Sequence, residues 1–329
     1  MTGSTRFAAG CAAGVVAILG SMSLVTPVLA QEFPARAIRM VLPFPAGGGS
    51  DLIARIIAQK YAVLLGQQVI VDNRAGASGN IAADLVAKAA GDGYTVLFAN
   101  SSLSISPAIY KKLTYDPMKD LTAVSMASSY PFTLVAHPAL PVKSVKDLVA
   151  LAKAKPDSLD YSSAGTGTLS HMAMEMLRVR TGTRITHLAY KGAAPATVAL
   201  LTGESQVAFV VMPVAAPHIR AHRLRGLGVA DKVRSAVASD VPTMAEAGVR
   251  DHIALQWNGL FVPAKTPQAV QDKLYREWVA AVKSPDVVQR IRSEGAEPGG
   301  NTPAEFSAFY RAETAKWADV AKRSGTKVD

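Results

Sequence analysis

Two glycine-rich turns carry most of the chemical interest in this chain. The first reads PAGGGSD, Pro45 to Asp51, and the second GTGT, Gly165 to Thr168. Each sits between an apolar run of buried-strand type and a segment with helical spacing. A glycine loop that opens a helix aims unpaired backbone N–H groups, and the positive end of the helix dipole, at whatever lies in front of it. That arrangement favours an anion. Ser101, Ser102 and Ser104 follow a third apolar run, YTVLFAN, and place hydroxyls at a strand's C-terminal end. In open α/β sheets that edge is where ligands sit. His171 falls just inside the helix that the second turn begins, with capping, packing and ligand contact all open to it.

Other chemistries fit less well. A phosphate loop needs Gly-Lys-Ser/Thr after its glycines, and none follows. A dinucleotide fingerprint would use Asp72 at the end of the next strand, but with Gly47 and Gly49 as its first pair the third glycine position is Leu52. No Gly-x-Ser-x-Gly elbow exists for a serine hydrolase. Of the six histidines, His218 and His222 stand four apart, yet Ile219 occupies the place where a zinc protease needs glutamate, so a solvent-facing pair is expected. Cys11 is the only cysteine and lies in a leader-like segment, which leaves the mature chain without disulfides, thiol nucleophiles or cysteine metal sites. No metal or cofactor is expected.

The elements that must position the two turns are read from hydrophobic periodicity. Ile38 to Phe44 is a strand. Leu52, Ile53, Ile56, Ile57, Tyr61, Leu64 and Leu65 then share a helical face, with Ser50 as N-cap and Gly66 as stop. Further strands are expected at 68–73, 94–100, 121–126, 131–136, 159–164, 185–189, 206–212, 224–230 and 257–263. The one at 131–136 is a candidate crossing between domains. Helices are expected at 81–90, 144–155, 169–182, 195–202, 213–221 and within 241–248, and 107–120 reads as irregular. Three proline-started helices, 267–283, 285–294 and 303–323, form a packing layer whose aromatic residues recur at helical spacing. The alternation argues an α/β fold. The repeat of strand, glycine loop and helix far apart in sequence argues two lobes with a cleft between them.

Composition agrees. The chain has 329 residues, 49% hydrophobic and 18% charged, enough to bury a sizeable core. In the first 30 residues Arg6 is the lone charge, Ala8 to Leu19 is apolar, and Val28-Leu29-Ala30 has the small-residue pattern of a cleavage site. This is a secretory signal cleaved after Ala30, leaving a soluble periplasmic protein. Lipidation at Cys11 is the competing reading, weakened because almost no n-region precedes that cysteine. Removal of Arg6 lowers the net charge from +10 to +9. The positive residues are scattered, so a nucleic-acid partner is not expected, and a general preference for small anions fits.

The segments VLPFPAGGGSDLIAR, VDNRAGASGN, DGYT, YDPMKDLTAVS, LVALAKAKPDSLDYSSAGTGTLSHM, YKGAAPA, PHIRAHRLRGLGV, DVPTMAEAG, GLFVPAKTP and GAEPGGNTPAEF, in that order, resemble the Bug family, the periplasmic solute-binding proteins of tripartite tricarboxylate transporters. The resemblance spans nearly the whole mature chain. It implies a two-domain Venus flytrap, with residues 31–131 and 256–329 in one domain and 132–255 in the other. It also implies a small organic carboxylate (dicarboxylate, amino acid or aromatic acid) in the cleft, delivered to a membrane transporter or reported to a sensor by a monomer. Carried over residue by residue, Phe44, Ala46, Gly47, Gly48, Ser50 and Asp51 form one wall. Ser101 and Ser102 add hydroxyls. Ser163, Ala164, Gly165, Thr166, Gly167 and Thr168 form the other wall, with His171 and Tyr190 nearby. Asp51 sits awkwardly for an anion site. It either accepts hydrogen bonds from the glycine loop, stabilises the helix's first turn, or faces the ammonium of an amino acid.

One stretch departs from the family pattern. In GESQVAFVVMPVAAP, Gly203 to Pro217, Ala208 replaces the usual acid and the region of Met212 and Pro213 is apolar. That leans toward a carboxylate with an aromatic or apolar body over citrate. The alternative from a different class is an exported α/β enzyme acting on a small anion, for which the chain offers no nucleophile–base pair or metal cluster.

Overall fold

In the computed structural model, described for residues 33–328, alternating strands and helices build one ten-stranded mixed sheet clad by helices. The expected signal segment lies outside the described residues. No helix among them is long and apolar enough to cross a membrane.

The first half of the sheet is a parallel core. β1 (Ile38–Leu42) pairs in parallel with β2 (Val69–Asn73) and β3 (Thr95–Asn100). β1 is nearly continuous in apolar residues because both of its faces are covered. Helix α1 (Gly49–Leu65) connects β1 to β2, and α2 (Asn80–Ala87) connects β2 to β3. α1 buries Ile53, Ile56, Ile57, Tyr61 and Leu65 and ends at Gly66 in the left-handed region, as its spacing implies. Leu52, however, is 40% exposed. The N-cap is Gly48 and not Ser50, whose hydroxyl is already committed across the fold.

β4 (Leu121–Ala136) is a single 16-residue strand where the sequence suggests two. From Leu121 to Pro131 it pairs antiparallel with β9 (Leu255–Pro263). From Phe132 onward it pairs instead with β7 (Val207–Val211) and β8 (Arg225–Val229). Beyond β7 lie β5 (Asp160–Ser163) and β6 (Thr186–Ala189), parallel to one another. β4 thus joins two parallel-rich halves, each crossed by helices. The second half carries α4 (Val145–Ala154), α5 (Leu169–Thr181), α6 (Ala193–Thr202) and α7 (Met212–Arg220). The Ser144 hydroxyl caps α4 by accepting the Asp147 N–H at 3.1 Å.

Two expectations fail locally. α3 (Ser102–Ile109) occupies a stretch read as a polar cluster followed by irregular chain, with Pro107 inside it. Residues 241–248 form turns and a short bridge, with no helix. The three C-terminal helices, α8 (Gln268–Val282), α9 (Pro285–Ser293) and α10 (Pro303–Ser324), are as expected, joined by a two-residue strand, β10 (Glu297–Pro298), on the β4 edge. α10 starts with a full capping box between Thr302 and Glu305.

The aromatic residues of the C-terminal helices are core. Trp278 packs edge-on to Tyr61 at 5.2 Å, and Phe306 meets Trp257 at 5.7 Å. Phe306 and Tyr310 at the start of α10 join the core of the first half. Trp317, Val320 and Ala321 further along join the core of the second half, with Leu134, Tyr161 and Met172. Each such fully buried side chain contributes roughly 1.5–3 kcal/mol. α10 therefore ties the two halves together alongside β4.

Candidate functional site

The parallel strands of both halves end at the same place. The loops after β1, β3, β5, β6 and β7 line a cleft of about 630 Å³. That is where the C-terminal edges of parallel strands are expected to hold ligands.

The near wall is the turn Phe44–Gly48 and the first residues of α1. Gly47 takes φ +85°, a left-handed conformation suited to glycine, and a Cβ there would meet nothing within 4 Å. The turn is held from behind by Asp51. Its Oδ2 accepts the Gly47 N–H at 2.9 Å and Arg55 Nε at 3.0 Å, and its Oδ1 accepts Asn73 Nδ2 at 3.0 Å. Asn73 also donates to the Phe44 carbonyl at 2.9 Å. Burial opposes ionisation of Asp51, but Arg55, the Gly47 amide and Asn73 outweigh it and hold the carboxyl below the ordinary carboxylate range. Of the roles open to Asp51, the geometry selects the acceptor for the glycine loop. Helix geometry leaves the N–H groups of Gly49 and Ser50 without intrahelical acceptors, and no side chain caps the helix. The positive end of α1 is therefore presented to the cleft with its donors open.

Ser50 Oγ donates to Asn258 Oδ1 at 2.8 Å, and Asn258 Nδ2 donates to Ser128 Oγ at 3.1 Å. The Tyr130 hydroxyl lies against the same two side chains, Ser50 and Asn258. Burial raises its pKa, partly offset by these contacts. Gln256 Oε1 accepts from Ser101 Oγ at 3.0 Å. In the ladder Tyr130 stands opposite Gln256, and Ser128 opposite Asn258, so the four polar side chains form one patch on β4 and β9.

The opposing wall starts at Ala164 and the N-terminus of α5, whose N-cap Thr168 makes no side-chain cap. Thr168 Oγ1 instead donates to the Gly165 carbonyl at 2.7 Å, and Ser170 Oγ accepts the Ala164 N–H at 3.0 Å, which tightens the turn on itself. Gly167 takes φ +80°, and a Cβ there would lie 2.2 Å from Ile109 Cδ1. Its N–H donates to His171 Nδ1 at 3.2 Å, which places the imidazole proton on Nε2, 3.8 Å from Glu175 Oε1. His171 stacks on His187 at 4.1 Å, and burial pushes both imidazoles down to about 4. Glu175 is buried and satisfied by the Tyr161 hydroxyl at 2.5 Å and by Arg178.

Of the sequence-derived site residues, Phe44, Ala46, Gly47, Gly48, Ser50, Asp51, Ser102, Ala164 and Thr168 line the cleft. The others do not. Ser101 is fully buried and spends its hydroxyl on Gln256. Ser163 is buried, 2.6 Å from His187 Nε2. Gly165, Thr166 and Gly167 form the body of the turn, and the Thr166 carbonyl accepts from Ser78 Oγ at 3.1 Å. His171 sits beneath that turn, because the third residue of a helix projects its side chain back along the axis. The Tyr190 hydroxyl donates to Glu204 Oε1 at 2.6 Å, away from the cleft, and this raises its pKa to about 12. Sequence reasoning missed Asn100, Tyr130, Phe132, Ser170, Lys191 and Gln256. A signal existed for some of them: Gln256 and Asn258 are polar residues two apart in an otherwise apolar strand, which puts both on one face.

A sequence profile described as the tripartite tricarboxylate transporter family receptor matches residues 53–326. Protein BugT of Bordetella pertussis is 36% identical over 312 residues, covering 94% of this chain and 96% of BugT. An R. palustris protein solved with adipate superposes with a TM-score of 0.81 at 35% identity, covering 90% of this chain and 99% of that one. MatC from Rhodopseudomonas palustris, solved with bound malate, superposes with a TM-score of 0.80 at 31% identity, covering 88% and 99%. The fold is thus the α/β fold of periplasmic binding proteins, and the uncapped helix ends facing one cleft are what a receptor for small anions requires. The chain belongs to the Bug family, the receptors of tripartite tricarboxylate transporters.

Proposed function

We propose that this chain is an extracytoplasmic solute-binding receptor that captures a small organic carboxylate in the cleft and passes it to a membrane transporter or a sensor. The observation that carries the reading is the pair of uncapped helix N-termini, α1 and α5, that both end on the cleft with hydroxyls beside them. Neutral donors hold a carboxylate without the desolvation cost of a buried ion pair, and so let it leave again. Relatives solved with adipate and with malate support the ligand class. Export would follow cleavage after Ala30, and the receptor would act as a monomer without catalysing a reaction.

Release would come from relative motion of two lobes, residues 31–131 with 256–329 against 132–255. Support lies in the strand connections. β4 changes partners at Pro131–Phe132, and the chain returns beside it at Ala254–Leu255, with the Phe132 N–H donating to the Ala254 carbonyl at 3.0 Å. Two adjacent extended strands bend as one hinge, and a ligand touching both walls favours the closed population.

The enzyme alternative has one observation in its favour, the Ser163–His187 contact at 2.6 Å. Ser163 is 1% exposed and lies off the cleft lining, so a substrate in the cleft does not reach it. A thermal-shift screen of stripped protein against dicarboxylates, tricarboxylates, acidic amino acids and aromatic acids tests the proposal. A ligand at about 100 times its Kd adds roughly 2.7 kcal/mol of stability. Recovery of the ligand unchanged supports a receptor. Silence across the panel from folded protein overturns carboxylate binding, and turnover of a hit revives the enzyme.

A further inference from the structure

We propose that the ligand is a monocarboxylate on an apolar body, an alkyl chain or a single aromatic ring, and that a second carboxylate is selected against. This rests on the receptor reading and narrows it. The walls of the cleft differ in chemistry. The carboxylate end is set by the open N–H groups of α1 and α5, with the hydroxyls of Ser50, Ser102, Thr168 and Ser170 beside them. Away from those two helix ends, apart from the exposed Lys191 and Glu294, the lining is carbon: Phe132 from β4, Leu169 from α5, and Val211, Pro213 and Val214 where β7 runs into α7.

The backbone of that region also offers fewer donors than two ordinary helix ends would. α6 and α7 also begin at the cleft, so each would ordinarily offer its first N–H groups to an anion. Pro213 stands second in α7 and Pro195 third in α6, and proline has no N–H. Each helix end has therefore exchanged an anion donor for a pyrrolidine ring, and both rings are in the lining.

Charge gives the same answer. Among the described residues, three side chains charged at neutral pH line the cleft: Asp51, Lys191 and Glu294. Asp51 is neutralised by Arg55, while exposed Lys191 and Glu294 contribute one charge of each sign. Among the described residues, no arginine or histidine is in the lining. A citrate-like ligand would carry three negative charges into a site with a single lysine. A carboxylate left against the carbon wall would lose its hydration without a partner. A methyl or phenyl group there is stabilised by the same burial.

The test is isothermal titration of the purified exported protein, stripped of ligand, with hexanoate, phenylacetate, adipate and citrate. Hexanoate and adipate have the same chain length and differ only in the far carboxylate. The expected result is binding of hexanoate or phenylacetate at least tenfold tighter than adipate, with citrate weaker still. In Val214→Lys, where a cation is added at a partly exposed position, adipate should gain at least tenfold relative to hexanoate. Adipate or citrate binding as tightly as the monoacids in the wild type overturns the inference and leaves the receptor reading standing. A preference unmoved by Val214→Lys overturns the assignment of the far wall. No heat with any of the four acids, from protein that melts cooperatively, sinks both.

Discussion

Replacing Asp51 by Asn tests whether the carboxylate is what holds the glycine turn. The side chain keeps its shape but becomes one acceptor and one donor. At present its two oxygens accept three hydrogen bonds, from Gly47 N, Arg55 Nε and Asn73 Nδ2. In either orientation of the new amide, its NH2 faces a donor. Asn73 cannot rescue the contact by turning over, because its Nδ2 also donates to the Phe44 carbonyl and its Oδ1 accepts from Arg55. In the better orientation the Asn73 bond is therefore lost outright, the Gly47 bond falls from charge-assisted to neutral, and the Arg55 bond keeps its cationic donor but loses its anionic acceptor. With charge-assisted bonds at about 1.5–3 kcal/mol and neutral ones nearer 1, the cost is about 2–4 kcal/mol. At roughly 2.1 cal/mol/K per residue over about 300 residues, that lowers Tm by about 3–6 °C. Urea denaturation at pH 7 followed by tryptophan fluorescence and far-ultraviolet circular dichroism gives the free energy. Calorimetric titration with a bound carboxylate reads the loop, and affinity should fall at least tenfold. The carboxyl titrates below its unfolded value, so its contribution is complete above about pH 4 and disappears as the pH falls through the lower folded value. The gap between wild type and variant should close in the same range. A variant within about 0.5 kcal/mol of wild type at pH 7 would show that the turn stands without the carboxylate, and refute the reasoning.

Three further outcomes follow from the same geometry. Burial holds His171 and His187 at about 4 and His252, both of whose nitrogens lack partners, at about 3, against 6.5 when unfolded. Unfolding therefore takes up protons below pH 6.5, and stability measured by urea titration should fall between pH 6.5 and 4.5 by an amount of order 5 kcal/mol, and by less in a His171→Asn, His252→Phe double variant, where His187 still titrates; a flat profile for the wild type contradicts this. Gly167→Ala places a methyl 2.2 Å from Ile109 Cδ1 at φ +80°, and should cost about 1–3 kcal/mol in the same assay, partly restored by Ile109→Val. Ser50→Ala removes the 2.8 Å bond to Asn258 and a hydroxyl from the lining, so ligand affinity by titration should drop about tenfold while stability changes by about 1 kcal/mol; an unchanged affinity would remove Ser50 from the site.

The sequence by itself determined the local grammar. Apolar runs of five or six residues, helical faces such as Ile53, Ile56, Ile57 and Tyr61, and stops such as Gly66 follow from periodicities and backbone preferences that act within a few residues. The order of those elements was enough for an α/β fold, and the two glycine turns were enough to place the starts of α1 and α5. The tertiary structure decided which atoms face the cleft. Ser50 reads as an N-cap until Asn258, 208 residues away, takes its hydroxyl. Ser101 and Ser102 are equivalent in sequence, yet Gln256 turns one inward to the core and leaves the other on the cleft. His171 and Tyr190 stand beside the right turns, but Gly167 and Glu204 draw their polar atoms away. Tyr130 and Phe132 enter the site because β4 runs unbroken between two sets of partners. In each case the deciding contact joins segments far apart in the chain. Its strength depends on burial and angle, which no spacing along the sequence records.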